Sequence, residues 1–196
     1  MRRLGPMLIA TAIMTAEADA QVHDPPLFAV FKAFCVDTGA SPDTVKSAVE
    51  AAGGKQHAPP GAVTSPFPMT VTTWDITAGG ASLNVSAGTQ QVAPIQNRAE
   101  VNSNQCVVNS FVNDDASIEA IRSWVGVRPA HVLRGNPTIY FFNYQEQGSV
   151  RSTLPTAKIA YDMANREGRI WSLMVLQSQD GTSVQLVHHL APPIPR

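Results

Sequence analysis

The chain is short of charge. Its 196 residues carry 14 Lys and Arg against 15 Asp and Glu, so only 15% are charged and the formal net charge is -1. Globular proteins average about 25% charged residues. Apolar residues make up 44%. That share is too high, and the net charge too small, for an intrinsically disordered chain. Without a basic excess there is no electrostatic footprint for nucleic acid, whose affinity comes largely from phosphate contacts. No internal repeat and no G-x-y period is present, which excludes solenoids and collagen. There is also no G-x-S-x-G elbow, H-E-x-x-H pair, EF-hand loop or P-loop, so no known motif spells out a chemistry. The uncharged run Leu4 to Ala16 is thirteen residues long. As a helix it would span about 20 Å, short of the ~30 Å hydrocarbon core of a membrane.

That run has another meaning. Met1-Arg2-Arg3 is a cationic start, the apolar run follows, and Ala18-Asp19-Ala20 puts small residues at the two positions a signal peptidase reads. The order is that of a secretory signal peptide, which predicts cleavage between Ala20 and Gln21 and a periplasmic or secreted product. The first mature residue is Gln rather than Cys, so a lipoprotein is not expected. Residues 21–196 are expected to form a single domain. Arg2 and Arg3 would leave with Glu17 and Asp19, so the mature chain keeps its near-neutral charge.

Cysteine is scarce too. Cys35 and Cys106 are the only two. They lack the C-x-x-C spacing of a redox dithiol and the further soft ligands of a zinc site. In an oxidising compartment the pair is expected to form a structural disulfide.

What the chain does have is patterning. Asp24-Pro25-Pro26 offers an N-cap and a proline-led first turn, with Leu27, Phe31, Phe34 and Cys35 at helical spacing. Ser41, Pro42 and Asp43 start a second helix with Val45, Ala48, Val49 and Ala52 on its apolar face, ended by Gly53. Residues 53–68 hold four prolines and three glycines and read as a loop. Strands follow from Met69, with a bulge expected near Thr72-Thr73 where the alternation slips. Asp114 or Asp115 caps a third helix through Ile118, Ile121, Trp124 and Val125. Strands resume at Thr138 to Tyr144, Ile159 to Met163, Ile170 to Leu176 and Val184 to Leu190, with Asp180-Gly181 as a hairpin turn. The predicted class is α+β: a mostly antiparallel sheet of six to seven strands, two N-terminal helices and one inserted helix.

Few residues point to chemistry. His188 and His189 are adjacent on a strand and so face opposite ways, which denies them a shared metal ion. His188 is expected at the core edge and His189 on the surface. Arg122, Arg128, His131 and Arg134 form a cluster of residues able to cradle an anion, although Arg122 also suits the C-terminal end of its helix. Asp114-Asp115 is explained by capping. No catalytic residue, metal site or cofactor is assigned.

The segment Phe31-Lys32-Ala33-Phe34-Cys35-Val36-Asp37-Thr38, followed by the Ser41 to Gly53 helix, resembles a pattern in small exported proteins of Gram-negative bacteria. There a helical F-x-x-x-C-x-x-T segment follows a signal peptide. The resemblance implies a periplasmic address and no catalytic residues. Together these readings favour a periplasmic binding or interaction module, with an envelope protein, peptide or glycan as partner. The alternative is a cell-envelope hydrolase using the Arg128/His131/Arg134 loop or His189.

Overall fold

The structure is a computed structural model; it describes residues 24–57, 69–92, 101–154 and 169–190. The signal-peptide segment, most of the Pro/Gly-rich loop and the strand expected at Ile159 to Met163 lie outside the described residues.

The N-terminal helix α1 (Pro26–Phe31) starts on a proline, whose missing N–H costs nothing in a first turn. It runs on as a π-helical turn, Lys32–Val36. Pro25 itself occupies the N-cap position, so Asp24 does not cap the helix and instead pairs with Lys32 at 3.7 Å. Thr38 closes the π turn by donating from Oγ1 to the Phe34 carbonyl at 2.6 Å. Helix α2 (Pro42–Ala51) begins at the expected proline and buries Val45 and Val49. Helix α3 (Asp115–Val125) is capped by Asp114, whose carboxylate accepts from Ser117 N–H at 2.9 Å and Ser117 Oγ at 2.6 Å. Gly126, with φ +66°, supplies the left-handed residue that ends α3. Ser117 Oγ also accepts from Phe28 N–H at 3.1 Å, tying α3 to α1.

Nine strands are present among the described residues: β1 (Lys55–His57), β2 (Met69–Ala78), β3 (Ala81–Val92), β4 (Val101–Ser110), β5 (His131–Leu133), β6 (Thr138–Gln147), β7 (Val150–Thr153), β8 (Arg169–Ser178) and β9 (Gly181–His189). They form one antiparallel sheet in the order β1-β2-β3-β4-β9-β8-β6-β5, with β7 also paired to β6. The α+β class holds, with more strands than the six to seven expected. The additional ones are short edge strands of three or four residues, β1, β5 and β7. Such segments carry too little periodicity to be read from sequence. β1 also corrects the reading of residues 53–68 as unbroken loop. The expected bulge is absent, because β2 pairs with β3 without a slip from Met69↔Gln90 to Ala78↔Ala81. Val71 breaks the alternation because it lies on the face opposite Trp74 and is exposed.

All three helices pack on one face of the sheet. There Trp74, Leu83, Val85, Cys106, Val108, Leu186, Leu173, Val175 and Phe142 meet Leu27, Phe31, Val45, Val49, Ile118 and Ile121. Burying that apolar surface drives assembly of the fold. Cys35 on the π turn and Cys106 at the middle of the sheet are disulfide-bonded, with an S–S distance of 1.97 Å and both residues fully buried.

Candidate functional site

Strand register separates the adjacent histidines as expected. His188 pairs with Asn104 and Trp171 on the helix face, and its ring stacks on Trp171 with centroids 4.3 Å apart. Burial pushes the His188 pKa below its ordinary 6.5, and the charge of Arg169 acts the same way. His189 pairs with Ser103 and Ile170 on the opposite face.

His189 is not the free surface histidine the sequence suggested. Its Nε2 lies 2.8 Å from Ser172 Oγ and its Nδ1 lies 3.2 Å from Ser103 Oγ. Ser172 Oγ donates to Asn143 Oδ1 at 2.9 Å. One hydroxyl carries one hydrogen, so Ser172 accepts from His189 Nε2–H and His189 Nδ1 accepts from Ser103. The result is a directed relay, Ser103 to His189 to Ser172 to Asn143. It crosses four neighbouring strands in spatial order: β4, β9, β8 and β6. Burial holds the His189 pKa down at about 4, with His188 adding in the same direction, so the ring is neutral at ordinary pH. A neutral imidazole donates at one nitrogen and accepts at the other, as the relay requires. Ser103 is fully buried, and Gln105, Asn143 and Gln145 on the same face are also buried.

No helix packs on this face among the described residues, and the register lays it out as rows. One row runs Asp75, Asn84, Asn109, Ser183, Leu176, Ile139, Leu133. The next runs Thr73, Ser86, Val107, Gln185, Met174, Phe141, His131. The β2–β4 side is polar apart from Val107. The β8–β6–β5 side is apolar apart from His131.

Of the four residues read as an anion cluster, Arg122 and His131 lie on opposite sides of the sheet. Arg122 pairs with Glu119 at 2.5 Å and its guanidinium sits 5.3 Å from the centre of the Tyr140 ring. Tyr140 and its partner Val132 lie on the helix face, whereas His131 and Phe141 share the other face, their rings 6.3 Å apart. Arg128 and Arg134 are exposed on either side of β5. The guanidinium that does close α3 is Arg151, which sequence reading missed. Its Nη1 donates to the Trp124 carbonyl at 2.6 Å, its charge lies 4.2 Å from the Trp124 ring centre, and Glu146 pairs with it at 3.2 Å. Asp115 accepts from Gln177 and Asn113. Among the described residues no three His, Cys, Asp or Glu side chains gather as metal ligands. No described helix is long and apolar enough to cross a membrane.

Ser172 and Asn143 carried no signal in the sequence. Each is an ordinary outward residue of its own strand, and only the pairing register brings them to His189. The fold defines an antiparallel-sheet α+β protein with one face covered by helices and, among the described residues, one face free of them. In comparisons with family models, curated proteins and solved structures, nothing matches this chain.

Proposed function

We propose that the chain is an exported binding or interaction module whose contact surface is the helix-free face of the sheet. The observation that carries this reading is the composition of that face. Half-buried Met174, Leu176, Ile139 and Phe141 and exposed Leu133 lie on three adjacent strands, beside neutral amides and hydroxyls. Apolar side chains with few charges are what the centre of a protein interface uses. The signal-like N-terminus, the resemblance to exported proteins and the disulfide support an address outside the cytoplasm.

A photo-reactive phenylalanine analogue at Phe141 or Leu133, in protein exported by its own N-terminus, should form adducts that the same probe at Lys46 on α2 does not. Equal adducts at all three positions, or none, would overturn the reading. N-terminal sequencing of the same material should begin at Gln21.

A second reading, an envelope hydrolase using His189, has the 2.8 Å Ser172–His189 contact in its favour. It requires the relay to run in reverse, with the Asn143 amide turned to donate to Ser172. Labelling of Ser172 by a fluorophosphonate, lost in His189→Gln, would carry this reading over the first; no labelling removes it.

A further inference from the structure

Strands β7 and β8 both pair antiparallel with β6, one on each side of it, so they run parallel to each other. The chain leaving β7 must therefore cross β6, over one face of the sheet, before β8 begins at Arg169. It cannot stay in the sheet. Leu154 N–H bonds to the Asn143 carbonyl at 2.7 Å, but the next place on that edge is taken by Ala130, whose N–H bonds to the Phe141 carbonyl at 2.7 Å.

Three features choose the face. The first is handedness. Alternating antiparallel pairs make β4 and β5 parallel too, and the chain passes from β4 through α3 to β5 in one direction across the sheet. From β7 to β8 it passes in the other direction, between strands that point the same way. Crossovers are right-handed in about 98% of cases, so two that move in opposite directions lie on opposite faces, and α3 holds the helix face. The second is space: beside β6 and β7 the helix face is filled by the end of α3, with Arg151 against Trp124 and Arg122 beside Tyr140. The third is burial. On the other face Asn143 and Gln145 are 6% exposed and Ile170 5%, although no described helix lies over them. Ile139, Phe141, Met174 and Leu176 on the same strands and the same face are only half-buried.

We infer that the part of the helix-free face formed by Asn143, Gln145 and Ile170 is a docking surface for the chain's own connection, residues 155–168. Crossing from β7 to β8 takes about 10 Å across two strand spacings and about 10 Å along them. Fourteen residues reach far beyond that, which leaves chain to spare for a layer on the sheet. The sequence of the connection suits the seat, because Ile159, Tyr161 and Met163 alternate with Lys158, Ala160 and Asp162. Two other segments of the chain compete less well for this place. Residues 93–100 join β3 to β4 and residues 191–196 follow β9, so they start three and two strands away from β6. The consequence reaches the polar relay. Gln145 and Ile170 share a row with His189 and Ser103, and Asn143 shares one with Ser172. That makes the relay part of an internal interface. The surface left to a partner is the pair of rows that end in Leu133 and His131.

The test is nuclear Overhauser spectroscopy on the isotope-labelled wild-type chain. Side chains of Ile159, Tyr161 or Met163 should show contacts to the Ile170 methyl groups or to the side-chain amides of Asn143 and Gln145. Contacts from residues 155–168 to Tyr144 or Trp171 on the helix face would overturn the inference, as would contacts to neither face. Contacts to Ile170 from residues 93–100 or 191–196 alone would assign the surface to one of the competing segments and overturn it too. A second measurement reads the same seat through His189. Replacing residues 157–165 by a Gly/Ser linker of equal length should move the His189 pKa up from about 4 toward the ordinary 6.5, whereas removing residues 191–196 should leave it in place. An unchanged value in a linker variant whose amide spectrum shows an intact sheet would count against the seat. Where that variant does not fold, the contacts in the wild-type chain decide.

Discussion

Acidification should load a proton onto His189 at a measurable cost to the fold. In the folded chain its pKa lies at about 4 against an ordinary 6.5. The unfolded chain therefore takes up a proton over a range where the folded one does not. Stability from this group is fully present above pH ~6.5, falls as pH drops, and is exhausted below about 4. A gap of about 2.5 pH units at 1.36 kcal/mol each amounts to about 3 kcal/mol. The structural cause is burial, which denies the new charge its hydration, with the neighbouring His188 adding to it; a doubly protonated ring would in addition lose its bond from Ser103. The assay is urea unfolding of the wild type and His189→Gln at intervals between pH 7 and 4. The variant should be less stable at pH 7, by roughly 1–3 kcal/mol for the broken hydrogen bonds. Its stability should then fall less steeply with acid, by up to about 1.4 kcal/mol per pH unit. His188, also shifted down by burial, contributes the same sign in both proteins. Parallel curves for the two proteins would refute the buried His189 as the origin of acid sensitivity.

Two further outcomes follow from the fold. The Cys35–Cys106 bridge spans 71 residues. On the chain-entropy relation its reduction should cost about 4 kcal/mol, read as the difference between urea transitions with and without reductant; coincident transitions would show that the bond is absent or energetically idle. Gly88 lies where a Cβ would come 1.8 Å from the Thr70 carbonyl oxygen. Gly88→Ala should therefore destabilise by roughly 3 kcal/mol or more through forced separation of β2 and β3, and a melting temperature equal to the wild type would contradict that packing.

Much of the fold was legible in short-range signals. α2 could be read from Ser41-Pro42-Asp43 and Gly53, α3 from Asp114 and Gly126, and a hairpin between β8 and β9 from Asp180-Gly181, because caps and turns act over three or four residues. The two-residue loop itself is Gln179-Asp180, one residue earlier than read, and Gly181 opens β9. The opposite orientation of His188 and His189 follows from the two-residue period of a strand. The edge strands β1, β5 and β7 escaped because three or four residues hold no period, and because pairing with a long neighbour, rather than propensity, makes them strands. Grouping Arg122 with His131 failed for a related reason. Closeness in sequence between Arg122 and His131 says nothing about which face each reaches, and β5 pairing puts them on opposite sides.

The sequence alone determined what depends on composition and local spacing. It specified a chain poor in charge, a signal-like start, two cysteines suited to one bridge, and alternation that separates inward from outward residues. Only the tertiary structure decided what depends on partners distant in sequence. Ser103 reaches His189 across 86 residues, and His189 reaches Asn143 only through Ser172 on an intervening strand. Register is chosen by the whole sheet burying its apolar face against three helices, so no single strand encodes its neighbour. The scarcity of charge then takes on a spatial meaning. Along the two outward rows polar side chains predominate on β2, β3 and β4 and apolar ones on β8, β6 and β5, and exposed Arg128 and Arg134 flank β5 in sequence.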